Sequence, residues 1–126
     1  MVNYYERNIL IKRILESEKT VVLGDFSSVD LSKIEFSSCC YKLCSFEKTL
    51  FIKSSFYRSI LDNCNFIGAS FKNAVFYRTK LIDLDFTNVD LENAKFEYCT
   101  LEDVNFKGAN LNNVEFKNTT TLHVKF

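Results

Sequence analysis

Residues 56–76 read FYRSI LDNCN FIGAS FKNAV F, a stretch in which Phe56, Leu61, Phe66, Phe71 and Phe76 recur at every fifth position. A period of five fits neither the 3.6 residues of a helix nor the two of a flat strand, and it marks a repeat architecture. Followed outward, the phase holds from Val21 to Phe126. It runs back through Phe51, Phe46, Tyr41, Phe36, Leu31 and Phe26, and forward through Leu81, Phe86, Leu91, Phe96, Leu101, Phe106, Leu111 and Phe116. Thr121 alone departs from it, and all thirteen phenylalanines of the chain fall in this slot.

Two residues before each large side chain stands a small or branched one, such as Cys44, Cys64, Ala69, Ala74, Val89, Ala94, Cys99 or Val104. The other three positions are mostly polar. Two inward positions separated by one outward residue make a short extended segment, and the next two residues must turn a corner. Asn63, Gly68, Asn73, Asn88, Asn93, Gly108, Asn113 and Asn118 occupy the last slot, where residues that tolerate a positive φ are expected.

Stacked coils should place like residues in vertical register. Every twentieth residue gives one column of Phe26, Phe46, Phe66, Phe86, Phe106 and Phe126 and a second of Phe36, Phe56, Phe76, Phe96 and Phe116. The columns between them are mixed or mainly leucine, so four sides of five residues close one coil.

The motif of a small residue, a polar one, a central Leu or Phe and two variable residues resembles that of the pentapeptide-repeat proteins. The resemblance covers nearly all of the chain after residue 20. It implies an all-β fold, a right-handed quadrilateral parallel β-helix of about five coils stacked at roughly 4.8 Å. The chain departs from the motif in preferring Phe over Leu at the centre and in placing Ser, Thr, Cys or Val in many small slots.

A length of 126 residues with 47% hydrophobic content suits a single domain with a continuous core. Residues 1–20 stand outside the repeat. Leu10, Ile11, Ile14 and Leu15 recur at helical spacing, and Asn3 with Glu6 suits a capping box. A short helix is therefore expected over 1–20 as a cap on a β-helix of 21–126, because a bare solenoid end exposes stacked rings and unpaired strand edges. At the far end Thr119, Thr120 and Thr121 interrupt the pattern before Val124 and Phe126 resume it. A homodimer through this last coil, around Leu122, Val124 and Phe126, is expected on the same grounds. No apolar run is long enough to span a membrane and no signal-peptide pattern opens the chain, which points to a cytoplasmic protein.

Catalytic chemistry has little support. The single histidine, His123, has no Ser, Cys or Asp near it at the spacing of an activated nucleophile, and three glycines build no phosphate loop. Cys39, Cys44, Cys64 and Cys99 lie in the inward slot and read as reduced core thiols, with Cys44 above Cys64 and only Cys40 outward. No enzyme, cofactor or metal is expected.

The outer faces carry the remaining information. Folded at twenty residues per coil, one face gathers Tyr57, Arg58, Tyr77, Arg78 and Tyr98 with Lys95 and Lys117 nearby, either as a binding strip or as a ladder for stability. The next face gathers Asp62, Asp83, Glu102 and Asp103, and Leu50, Ile52, Ile60, Ile67 and Ile82 are expected as an exposed aliphatic patch in the middle coils. The reading is a non-catalytic interaction module for a protein partner, whose identity the sequence does not give. The alternative, implied by the resemblance to quinolone-resistance members of the family, is a DNA mimic that binds a type II topoisomerase such as gyrase. Mimicry needs a strong negative field, whereas 16 basic residues here balance 16 acidic ones. A neutral chain also argues against direct nucleic-acid binding.

Overall fold

The structure is a computed structural model that describes Ile9 and residues 20–126. Apart from Ile9 and Thr20, the capping segment expected over 1–20 lies outside the described residues. The rest is an all-β parallel solenoid of about five turns. Its strands are β1 (Thr20–Val22), β2 (Glu35–Ser37), β3 (Cys40–Lys42), β4 (Ser55–Tyr57), β5 (Ile60–Asp62), β6 (Val75–Tyr77), β7 (Lys80–Asp85), β8 (Lys95–Glu97), β9 (Thr100–Asn105), β10 (Glu115–Lys117) and β11 (Thr120–Leu122).

Odd-numbered strands form one parallel sheet in the order β1-β3-β5-β7-β9-β11, and even-numbered strands form a second, β2-β4-β6-β8-β10. Register advances by twenty: Phe56 pairs with Phe76, and Leu61 with Leu81. Two further walls are ladders of single bridges, one through Asp25, Ser45, Asn65 and Asp85 and the other through Asp30, Leu50, Ser70, Asp90 and Asn110. Four walls of five residues therefore close each coil.

Strands stay short because the chain turns at every fifth residue. Each corner residue from Leu23 to His123 holds a φ between +48° and +75°, the left-handed region that Asn and Gly adopt at low cost. On two corners of a coil the turn closes on itself, as in Thr49 N–H to the Phe46 carbonyl (3.0 Å) and Ala74 N–H to the Phe71 carbonyl (2.9 Å). The polar residue before the central side chain then caps the turn: Asn65 Oδ1 accepts from Ile67 N–H (2.9 Å) and Asp90 Oδ1 from Glu92 N–H (3.0 Å).

The corner after the Phe36 column does not make that closing bond. A hydroxyl from the next coil supplies the acceptor: Cys39 N–H donates to Ser59 Oγ (3.1 Å), Ser59 N–H to Thr79 Oγ1 (3.3 Å) and Cys99 N–H to Thr119 Oγ1 (3.3 Å). Thr79 Oγ1 in turn donates to the Phe56 carbonyl at 3.0 Å. This explains why the small slot of this column reads Cys39, Ser59, Thr79, Cys99 and Thr119 with no alanine. Among the described residues no buried side-chain nitrogen or oxygen lacks a partner.

Rings fill the interior. Phe36 on Phe56, Phe56 on Phe76 and Phe76 on Phe96 stack at 4.6, 5.2 and 4.6 Å with planes within 8°. Neighbouring columns meet edge to face, as Phe46 meets Tyr41 at 5.5 Å and 85°, the offset arrangements that ring quadrupoles favour. Every central side chain from Phe26 to Phe106 is buried, whereas Phe116 and Phe126 in the last coil are exposed.

Thr79→Val keeps the volume of this fully buried side chain and removes the hydroxyl's bonds to the Ser59 amide and to the Phe56 and Tyr77 carbonyls. A loss of about 1–3 kcal/mol in urea unfolding is expected, against about 0.5 or less for exposed Lys53→Ala. Equal effects would contradict the role given to the hydroxyl.

Candidate interaction surface

The five residues expected to share a strip come from β4, β6, β8 and the corners that follow them. Tyr57 and Tyr77 are in register, but the partner of Tyr77 on the next rung is Glu97. Tyr98 instead continues the corner column of Arg58 and Arg78, with φ of 54°, 52° and 50° respectively. Backbone bonds hold these corners one rung apart: Arg58 N–H to the Tyr77 carbonyl (2.9 Å), Arg78 N–H to the Glu97 carbonyl (3.0 Å) and Tyr98 N–H to the Lys117 carbonyl (3.0 Å).

The side chains close the offset that the backbone leaves. Tyr57 lies 6.1 Å from Tyr77, and Tyr77 meets Tyr98 at 5.7 Å and 73°. The Arg78 guanidinium sits 5.5 Å from the Tyr77 ring centre and 5.9 Å from that of Tyr98, within cation–π range of both. Arg58, Arg78, Tyr57 and Tyr98 are exposed and Tyr77 is half-buried. Lys95 is exposed on β8, whereas Lys117 pairs in register with Glu97 on the rung below Tyr77.

Corner chemistry sharpens the outline. From Asn63 to Asn118 every corner is Asn, Asp or Gly except Arg78 and Tyr98, two residues that touch. A bulky side chain in the left-handed region carries a local cost, and here it is accepted at adjoining rungs of one corner. That signal was available in the sequence once the twenty-residue register was set.

The acidic face is less continuous than its sequence suggests. Asp62, Ile82 and Glu102 share one column, so an isoleucine divides the carboxylates, and Lys42 lies directly above Asp62. Asp103 faces His123 at 3.2 Å, a pair the twenty-residue register also foretells; both side chains are well exposed, so water screens the contact.

The aliphatic patch requires correction. Of Leu50, Ile52, Ile60, Ile67 and Ile82 only Ile67 is exposed; the others are half-buried. Ladder neighbours cover them: Ile60 lies between Cys40 and Lys80, and Leu50 between Asp30 and Ser70. Exposed apolar groups gather instead near the ends, at Val22, Leu23 and Leu43 and at Phe116, Leu122 and Phe126. Val124 is half-buried against the core, and Phe126 stacks on Phe106 at 5.5 Å while remaining 67% exposed.

The five cysteines are free. Cys44, Cys64 and Cys99 are buried and donate to backbone carbonyls, Cys64 to Tyr41 (3.4 Å) and Cys99 to Phe76 (3.2 Å). Burial pushes the Cys99 thiol up to about 11, and the bond between Cys44 and Cys64 lowers the Cys44 thiol to about 7 while it and burial hold the Cys64 thiol high; the lowered thiol is itself buried in the core, whereas a reactive cysteine is accessible. Among the described residues no three His, Cys, Asp or Glu side chains gather to hold a metal, and no helix is long and apolar enough to cross a membrane.

The repeat geometry has a counterpart in known proteins, since a family model described as the pentapeptide repeat region matches residues 59–126. The chain belongs to the pentapeptide-repeat family. No curated protein matches it in sequence. Among solved pentapeptide-repeat structures it is similar to QnrB1, a plasmid-mediated fluoroquinolone resistance protein, with a TM-score of 0.79 at 18% identity over 86% of this chain and 58% of that one. It is also similar to HetL, a protein involved in heterocyst differentiation regulation in the cyanobacterium Nostoc, with a TM-score of 0.50 at 17% identity over 78% of this chain and 54% of that one. The chain thus spans under two thirds of either protein, and the likeness is one of fold.

A stability ladder and a binding strip differ in one measurable respect. If the strip serves binding, Arg78→Asn with Tyr98→Asn exchanges cation–π contacts for cheaper corners, and the two effects, each about 0.5–1 kcal/mol, nearly cancel. Thermal unfolding of the double variant is expected to stay close to wild type. A loss above about 2 kcal/mol would identify the strip as a structural ladder.

Proposed function

We propose that this pentapeptide-repeat chain is a non-catalytic protein-interaction module, a rigid solenoid that offers side chains at fixed spacing to a protein partner. The observation that carries the reading is the exposed contact of Arg78 with Tyr77 and Tyr98 on one corner. Planar groups with few rotatable bonds give large contact area for little lost entropy, which is why Tyr and Arg concentrate binding energy. Replacing Tyr98 by a photo-reactive phenylalanine in extract of the native host is expected to yield one dominant protein adduct, identified by mass spectrometry. The same group in place of Asn88, on another corner, is expected to give none. Equal adducts from both positions would remove the strip from the account.

The module is further proposed to pair with a second copy through the coil carrying Leu122, Val124 and Phe126. Strands β10 and β11 each have a sheet neighbour on one side only among the described residues, and the rings of that coil are exposed. The contact would bury on the order of 1,000 Å² in total, so association should depend on concentration. Sedimentation is expected to show a dimer that Phe126→Asp abolishes; a wild type that stays monomeric at high concentration would refute it.

A second reading draws on the acidic residues Asp62, Asp83, Glu102 and Asp103 and on the fold shared with QnrB1: a DNA mimic that binds a type II topoisomerase such as gyrase and protects or inhibits it. The zero net charge and the interruptions by Ile82 and Lys42 weigh against it. No change is expected in a gyrase supercoiling assay. A clear salt-sensitive effect would promote this reading over the first.

A further inference from the structure

Arg58 and Arg78 occupy successive rungs of one corner, roughly 4.8 Å apart along the solenoid. The ion pairs among the described residues are Lys72 with Glu92 and His123 with Asp103, and neither arginine belongs to them. Lys80 and Lys95, both exposed, add to the same middle coils. Acidic residues flank the two arginine rungs: Glu35 stands one rung above Ser55, Glu97 shares the Tyr98 rung with Lys95, and Glu115 shares the following rung with Lys117. The uncompensated positive charge is therefore short, confined to the two rungs of Arg58 and Arg78, since the rungs below each carry one Lys and one Glu.

Arg78 is also held in place. Its guanidinium lies against two tyrosine rings, which restricts its rotamers, and the residue is exposed, so its planar fork of donors is accessible to a carboxylate. Residues two apart on an extended strand lie on one side at about 6.6 Å, a spacing that the exposed Arg58 stem, one rung from the fixed Arg78, is long enough to span. A nucleic-acid strand would soon pass beyond two positive rungs and meet Glu35 or Glu97, whereas two carboxylates match the two guanidinium groups.

We infer that the corner of Arg58, Arg78 and Tyr98 receives an extended acidic protein segment, with Asp or Glu at alternate positions running along the solenoid axis. The inference rests on the interaction-module reading and names the chemistry of its partner. Carboxylates engage the two guanidinium groups, and the tyrosine rings cover the stems between them.

The test is a nitrogen-15 NMR titration of the full chain with a peptide of alternating Glu and Gly, with alternating Lys and Gly and an oligothymidylate as comparison ligands. Saturable shifts of the Arg58 and Arg78 Nε–H signals and of the Tyr98 amide are expected with the Glu peptide and not with the Lys peptide. Arg78→Gln should weaken that binding about tenfold while lowering the melting temperature by no more than a few degrees. Absence of shifts at these three residues, an unchanged affinity in Arg78→Gln, or tighter binding of oligothymidylate to the same residues would overturn the inference. If the photo-adduct at position 98 forms while the Glu peptide does not bind, the acidic chemistry fails alone. If both are absent, the interaction reading fails with it.

Discussion

The Phe26 N–H reaches the Ser45 carbonyl at 2.8 Å, and the Ser45 N–H returns to the Gly24 carbonyl at 2.9 Å. This reciprocal, parallel pairing repeats around the walls, so each coil sets the register of the next at twenty residues. A slip of one residue would carry a whole coil of phenylalanines into solvent and bury the polar slots in their place. Ring stacking and hydrogen bonding therefore specify the same register, an agreement between levels that favours one structure over its competitors.

From that constraint the interior follows with little freedom. Successive rings are held near the stacking distance by the rungs themselves, and the left-handed corners keep each wall too short to drift. Where the corner cannot close its own turn, Ser59, Thr79 and Thr119 bring hydroxyls to the orphaned amides. In this column the departures from a small apolar slot are thus hydrogen-bond acceptors placed where the backbone needs them, since an unpaired buried amide costs more than the hydroxyl's burial, whereas Thr49 and Ser54, on corners that close their own turns, donate to the Phe26 and Leu31 carbonyls.

Much of the architecture was legible because the side-chain period is itself the geometry. The five-residue phase named the walls, and the pure Phe36 and Phe26 columns named the coil length. What the sequence left hidden were matters of side-chain reach. Tyr98 lies in the arginine column, not the tyrosine one, and only its ring, swung toward Tyr77, completes the strip. Ile60 and Ile82 looked exposed because their slots point outward, yet neighbours above and below half-cover them. The break in the Asn, Asp and Gly corners at Arg78 and Tyr98 was visible, but it gains meaning only once those corners are known to share a left-handed backbone.

The claim on which the account stands is that columns of in-register phenylalanines hold the coils together. Urea unfolding of Phe66→Ala and Phe76→Ala against Lys72→Ala tests it most directly. Both rings are fully buried, while Lys72 makes a partly exposed ion pair with Glu92. The account predicts losses of about 3–5 kcal/mol for each phenylalanine and roughly 0.5 or less for the lysine. Comparable losses in the two classes would contradict it.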